Sequence, residues 1–279
     1  MRIDVYLAQN GHAQSRTRAQ QLIEEGKVKL DGITVVRCRE EVDETLPHTL
    51  EITPDDGFVG RGGYKLEAAL DAFDIDVTDA WGIDVGASTG GFTDCLLRRG
   101  AARVYAVDSG CGQLSDVLLG DARVVNMEKC NARYLSVDML GEEFFVHGGA
   151  DVIVMDVSFI SQTYILPALV SLLREGGRIV SLIKPQFELD KKRIGKGGVV
   201  KDAAARRQAV SRVLGEAAVL GLLSEGVICS PIRGGDGNVE YLTVLHMALA
   251  EEQEALHLQA TKGADALPKH LFVEIKDRK

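Results

Sequence analysis

The sequence predicts an α/β fold: a mostly parallel, twisted sheet with helices on both faces and an antiparallel last strand, preceded by a small α+β module. Three observations carry this. Strand-like and helix-like segments alternate from residue 64 to about residue 250, the pattern of βα units. A glycine-rich turn joins the first strand of that series to a helix, in "WGIDVGASTGGFTDCLL". The first 58 residues have a different rhythm and a different charge.

The module comes first. "RIDVYLAQNG" sets Ile3, Tyr6 and Leu7 at helical spacing and stops at Gly11. "SRTRAQQLIEEG" starts on Ser15 as an N-cap, ends at Gly26 and turns Leu22 and Ile23 inward. Arg16 and Arg18 lie in its first turn, where cations oppose the helix dipole. That placement has two readings, arginines kept for a partner or exposed arginines that cost little. "KVKLDGITVV" is strand, Asp31-Gly32 turn, strand, a hairpin signal. "PDDGFVGRGGYK" reads as a linker, placed at 59–63 between a 1–58 domain and a 64–250 domain.

The larger domain then runs in order. "YKLEAALDAF" is an amphipathic helix, "WGIDVGA" a strand, 90–99 a helix, "RVYAVD" a strand, 113–119 a helix and "RVVNME" a strand. "ADVIVMDVS" is a strand, 161–174 a helix, "GRIVSLIK" a strand and 202–220 a helix. "LLSEGVICS" and "VEYLTVLHMA" are the final strands, and 251–279 is expected to be a partly ordered tail.

Composition narrows the function classes. The 279 residues are 46% hydrophobic and 26% charged, an ordinary globular mixture. No apolar run approaches the ~18 residues of a membrane span, and "MRIDVYLAQNG" lacks a signal-peptide apolar region. The five cysteines are scattered without C-x-x-C pairing, so a cytoplasmic location is expected. Net charge is −9, yet residues 1–39 carry seven bases against four acids, and "KKRIGKGGVVK" forms a second basic run at 191–201. Two basic patches favour a phosphate-bearing partner.

The glycine loop indicates a cofactor. Neither G-x-G-x-x-G nor G-x-x-x-x-G-K-[ST] is present; Asp84, Gly86, Gly90 and Gly91 form D-x-G-x-x-x-G instead. Glycines allow a ligand to approach closely, although a tight turn alone would use them too. An acid at the strand end disfavours a pyrophosphate and suits a cationic ligand. S-adenosylmethionine, with a sulfonium and an ammonium, fits better than NAD. Its contacts are expected from Asp84, Gly86, Ala87, Ser88, Thr89, Gly90 and Gly91. Asp108, 24 residues after Asp84, is placed to accept from ribose hydroxyls, and Glu128 and Asn131 to flank the adenine.

One lysine sharpens the reading. Lys184 ends the apolar strand "GRIVSLIK", and Asp156 ends the preceding one. Carboxyl ends of parallel strands share one edge, and an antiparallel last strand brings Glu240 there as well. Lys65, in the helix before the first strand, can cover the same edge. Singly, each has a plain structural reading: solvated lysine, helix N-cap, strand-end lysine, exposed strand residue. Together they suit methyl transfer to a weakly acidic hydroxyl such as a ribose 2′-OH. A neutral amine can take that proton, but a free lysine has a pKa of ~10.4, which a neighbouring cation or burial lowers. Lys184 is then the base, Lys65 its cationic neighbour, and Asp156 and Glu240 the groups that orient the amines. Nothing in this chemistry calls for a metal.

Two resemblances follow from these motifs. On R-I-D-V-Y-L, S-R-T-R-A-Q-Q-L-I and G-K-V-K-L-D-G, residues 2–50 resemble the S4-type RNA-binding domain. This implies backbone-directed binding of structured RNA, with Arg2, Arg16, Arg18, Lys27 and Lys29 as contacts; Arg61, Lys191, Lys192 and Arg193 extend that set. On G-R-G-G-Y-K-L, D-V-G-A-S-T-G-G-F-T-D-C-L-L, D-V-S-F-I-S, K-P-Q-F-E and K-G-G-V-V, the chain resembles the TlyA (hemolysin A) family of FtsJ-like ribosomal RNA 2′-O-methyltransferases, with a Rossmann-like methyltransferase sheet. The family's lysine–aspartate–lysine–glutamate tetrad falls on Lys65, Asp156, Lys184 and Glu240. The resemblance implies S-adenosylmethionine-dependent methylation of cytidine ribose in the rRNA of a ribosomal subunit. "SGCGQLSD", after Asp108, departs from the family pattern near Ser109 and Asp116. The alternatives are a non-catalytic RNA-binding or ribosome-assembly factor, a membrane-active hemolysin and a small-molecule methyltransferase. The intact tetrad opposes the first, and the absence of a convincing amphipathic segment opposes the second. The N-terminal module opposes the third.

Overall fold

Residue 57 divides the chain into two units, Met1–Gly57 and Phe58–Lys279. The computed structural model describes residues 1–13, 16–24, 26–52, 57–195, 197–267 and 272–273; the side chains of 17, 18, 21, 272 and 273 fall outside that description.

In the first unit, helices α1 (Ile3–Gln9) and α2 (Arg16–Glu24) pack on a three-stranded sheet of β1 (Val28–Leu30), β2 (Ile33–Thr34) and β3 (Leu50–Ile52), ordered β2-β1-β3. Ile3 and Leu7 meet Leu22, Ile23 and Val28 in its core. Asp31 and Gly32 both take positive φ, 52° and 79°, the conformation a two-residue hairpin requires. β3 was not foreseen. Ser15, expected as the cap of α2, lies outside the described residues, as does the side chain of Arg18.

A buried carboxylate ties the helices together. Asp4 is fully buried; it accepts from Arg2 Nε at 3.0 Å, Arg16 Nε at 2.9 Å and Gln20 Nε2 at 2.6 Å. Two arginines expected to grip RNA are therefore engaged within the fold, which offsets their poor placement against the helix dipoles. Lys29 pairs loosely with Glu51 at 3.8 Å, and Lys27 is half-buried.

The second unit holds α3 (Gly62–Ala72), β4 (Trp81–Val85), α4 (Gly91–Arg98), β5 (Arg103–Val107), α5 (Asp116–Leu119) and β6 (Val124–Met127). Then come α6 (Val137–Leu140), α7 (Glu142–His147), β7 (Ala150–Met155), α8 (Leu166–Val170), β8 (Leu173–Ile183) and α9 (Pro185–Glu188). The unit closes with α10 (Ala203–Val219), β9 (Leu222–Cys229), β10 (Tyr241–Met247), α11 (Gln253–Lys262) and β11 (Phe272–Val273). The eight strands are ordered β11-β9-β10-β8-β7-β4-β5-β6. β4 to β8 run parallel, and β10 is antiparallel between β8 and β9.

Side-chain alternation along the strands creates two cores. Ile83, Val107, Met155 and Ile183 face α8 and α10, whereas Val104, Val154 and Leu182 face α3 and α4. The chain leaves β4 for β5 and β6 on one side and returns to β7 and β8 on the other. The sheet thus has its switch point at β4 and β7, where ligands of such sheets bind.

Three expectations need correction. The helix expected over 161–174 is a 3₁₀ turn at Gln162–Tyr164 followed by the short α8, because Pro167 at the helix start lacks the N–H that would continue the turn; β8 already begins at Leu173. The linker placed at 59–63 is packed: Val59 N donates to Asp94 Oδ2 at 2.8 Å, and Gly62 opens α3. The glycines there allow close approach, since a Cβ on Gly63 would lie 2.1 Å from the Phe58 ring. Within the expected tail, α11 docks on α10. Its buried Gln259 accepts from Ser224 N and donates to the carbonyls of Leu214 and Leu222. Residues 268–271 and 274–279 are outside the description.

Burial alone would raise the Asp4 carboxyl, but the hydrogen bonds from Arg16, Gln20 and Arg2 outweigh it and bring its pKa to about 2. The stability this supplies is complete above the unfolded value of ~3.9 and is lost as pH falls through the folded one. An NMR titration of the Asp4 carboxyl carbon is expected to show a midpoint near 2; a midpoint in the ordinary carboxylate range would refute the assignment.

Candidate active site

The site lies along the carboxyl ends of β4, β5, β7 and β8. The parallel pairs Val85–Val107 and Val85–Met155 end these strands level, so the residues that follow share one edge. Tyr241 faces Ile183 across the antiparallel pair β10–β8, and one further step sets Glu240 opposite Lys184.

The four tetrad residues form two ion pairs there. Lys65 Nζ lies 2.7 Å from Glu240 Oε2, both side chains being buried. Lys184 Nζ lies 2.5 Å from Asp156 Oδ1, and its well-aligned hydrogen bond goes to Ser158 Oγ at 2.8 Å. A charge drawn this far from water needs a partner of opposite sign, and each pair supplies one. Gly234 makes room for the first pair, since a Cβ there would come 2.4 Å from Glu240 Oε1.

The loop after β4 walls a cavity of about 220 Å³ lined by Asp84, Gly86, Ser88, Thr89, Asp156 and Lys184; Ala87 and Gly91 line it too. A side chain on Gly86, at φ 85°, would strike the Asp156 carbonyl at 2.5 Å. Gly90 serves differently. Its φ of 94° starts α4, and a Cβ would collide with Leu118 and Leu114, so it packs the loop rather than lining the cavity. Asp84 Oδ2 accepts from Thr93 N at 2.9 Å and Thr93 Oγ1 at 2.7 Å, whereas its buried Oδ1 has no partner among the described residues. Burial pushes this carboxyl up to about 7 against the lowering effect of Thr93, with the charges of Asp156 and Asp108 adding to the rise. An unpartnered carboxylate oxygen beside a glycine cradle fits a ligand that carries positive charge.

A second cavity of about 490 Å³ adjoins the first through Gly86, Ser88, Asp156 and Ser158. Asp108 and Asn131, the residues expected to meet the donor's nucleoside, line it. Asp108 also braces the loops, accepting from Ser88 N at 2.8 Å and Gly110 N at 2.6 Å. Glu128 does not line it. Its carboxylate accepts from Gly112 N at 2.8 Å and from the Cys111 thiol, which also holds its pKa down.

A third cavity, about 350 Å³, lies beyond Lys184. Phe159 and Phe187 stand at its mouth with ring centroids 5.2 Å apart; Phe159 is 91% exposed at a φ of 65°, strained for a residue with a side chain. Gln186, Asp236 and Glu240 line the wall. The loops beneath are tied by Asn238, which accepts from Val200 N at 2.9 Å and donates to the Gly198 carbonyl at 3.0 Å. Sequence reasoning missed Ser158, Phe159, Gln186 and Asp236. The exposed phenylalanine inside D-V-S-F-I-S was the available signal. Arg61, Lys191, Lys192 and Arg193 are exposed, with Arg193 bonded to Gln208.

The chain matches the FtsJ-like methyltransferase family over residues 58–247 and the S4 domain over residues 1–36. It is 42% identical to the 16S/23S rRNA (cytidine-2′-O)-methyltransferase TlyA of Mycobacterium tuberculosis, across 94% of this chain and 98% of that protein. It is 39% identical to Hemolysin A of Brachyspira hyodysenteriae, across 87% of this chain and 98% of that protein. The solved structure of a hemolysin-designated protein from Streptococcus thermophilus superposes with a TM-score of 0.69 at 36% identity, covering 94% and 96% of the two chains. No described helix is long and apolar enough to cross a membrane.

Asp84 keeps its proton in the folded chain up to about 7 but ionises near ~3.9 when unfolded, so the fold loses stability as pH rises through that window. Thermal unfolding of Asp84→Asn against the parent is expected to shift in favour of the variant as pH rises from about 4 to about 7. A difference independent of pH would contradict the assignment.

Proposed function

The chain belongs to the FtsJ-like methyltransferase family, on its TlyA (hemolysin A) branch, and from that membership we propose that it moves a methyl group from S-adenosylmethionine to the 2′-oxygen of a cytidine ribose in ribosomal RNA. One observation carries this reading: Lys184 lines both the cavity at the glycine loop and the cavity beyond it. A donor held on one side and a nucleotide held on the other would meet at its amine.

Asp84 and the loop from Gly86 to Gly91 would hold the charged methionine end of the donor, and Asp108 and Asn131 its nucleoside. When bound, S-adenosylmethionine supplies a methyl group on a sulfonium, which departs as a neutral thioether. Lys184 Nζ, after giving up its own ammonium proton to solvent, takes the proton from the 2′-hydroxyl as the new carbon–oxygen bond forms. Asp156 and Ser158 fix that amine from two directions, and Lys65, held by Glu240, stabilises the negative charge growing on the oxygen. Fixed alignment of oxygen and methyl supplies much of the remaining rate. The exposed Phe159 ring offers the target base a face to stack on when it leaves its helix. The S4 unit and the exposed basic residues would carry the contacts to phosphate.

Mapping 2′-O-methyl groups on undermethylated ribosomal subunits, with labelled donor and purified protein, tests the reaction. Lys184→Ala is expected to lower single-turnover methyl transfer by about 10²- to 10⁴-fold while donor binding stays near that of the parent. Parent-like turnover would remove Lys184 as the base. Replacing Lys191, Lys192 and Arg193 together by alanine should weaken RNA binding and flatten its salt dependence by up to about 0.9 per lost phosphate contact; an unaltered salt slope would exclude those contacts.

A further inference from the structure

We propose that Gln186, with Asp236 across the same cavity, reads the exocyclic amine of the target base and so sets which nucleotide is methylated. This rests on the reaction proposed above and adds to it the residues that select the base.

The observation is an acceptor without a donor. Gln186 Oε1 is buried and has no hydrogen-bond partner among the described residues. It follows Lys184 by two positions and lines the same cavity. A buried carbonyl left unpaired costs free energy, so an acceptor kept in that state suits a donor that arrives with the ligand. Asp236 stands exposed on the rim, in a turn closed by Gly234 N donating to the Asn238 carbonyl at 2.9 Å and Gly237 N to the Gly234 carbonyl at 2.8 Å. Its carboxylate only accepts when ionised.

The chemistry of the ligand follows from this wall. Phe159 and Phe187, whose rings are tilted 51° to each other, each offer an apolar face that any base can use, so they carry no choice among bases. Cytosine and uracil differ at position 4, an amino group against a carbonyl oxygen, and at N3, a bare acceptor against an N–H donor, so the choice turns on acceptors aimed at position 4. Acceptors facing position 4 bond to cytosine's amino group and repel uracil's carbonyl oxygen. Lys184 in the same cavity places the ribose of that nucleotide at the methyl donor, so one site would align the sugar and inspect the base.

The test is single-turnover methylation of ribosomal subunits that carry either cytidine or uridine at the mapped nucleotide. The parent protein is expected to prefer cytidine by at least about tenfold. Gln186→Ala should bring that ratio close to one, mainly through slower transfer to cytidine, with donor binding and thermal unfolding unchanged. Gln186→Glu, which keeps an acceptor of the same shape, should retain the preference; its loss there would mean that the amide presents its NH₂, and would overturn the proposal. Gln186→Ala with the parent's preference intact would overturn it as well while leaving the reaction standing. Asp236→Asn should lower the ratio by a smaller factor. A parent protein that methylates no RNA would refute the reaction and this inference together.

Discussion

Two ammonium groups sit where water is scarce, and everything around them is arranged to make that tolerable. Lys65 and Lys184 each face a carboxylate within ion-pair distance, and each carboxylate comes from a distant part of the chain. Glu240 lies 175 residues from Lys65. Such a pair adds little net stability compared with apolar packing, but removing one member leaves a buried charge without compensation. The four residues therefore constrain one another, and the sheet register that brings β10 beside β8 fixes their meeting point.

The glycine loop solves a related problem with the opposite sign. Asp84 is a carboxylate in a place that prefers it neutral, braced on one oxygen by Thr93 and open on the other. Gly86 bends the chain so that no side chain fills the space beside it. In the proposed reaction a positively charged donor completes this arrangement, and the neighbouring Lys184 meets the acceptor from the other side. Donor and acceptor are then handled by adjacent cavities rather than by one large cleft.

The sequence made the βα alternation, the antiparallel strand β10 and the convergence of Lys65, Asp156, Lys184 and Glu240 on one sheet edge legible, because periodicity and strand-end position depend on local pattern and simple topology. What it concealed depends on contacts between remote segments. Arg2 and Arg16 read as free cations until the fold buries Asp4 between them. Gly90 reads as part of a cofactor loop, yet the space it keeps clear belongs to Leu118. Glu128 follows the third strand as an adenine contact would, but the turn at Gly112 claims its carboxylate. Gln259 lies in a polar stretch with weak periodicity, and its bonds to Ser224 N and to the carbonyls of Leu214 and Leu222 help to dock that stretch. Ser158 and Gln186 stand within recognised motifs, and nothing in their spacing tells a wall residue from a filler.

The position of β10 has a consequence for how the enzyme comes into being. It is made after β8 and β9 yet lies between them, so β9 joins the rest of the sheet only once β10 is in place. Until that strand is threaded into place, Glu240 is absent from the site and Lys65 lacks its counter-charge. In the proposed reaction, methyl transfer would then await closure of the sheet, since only that closure sets Glu240 against Lys65.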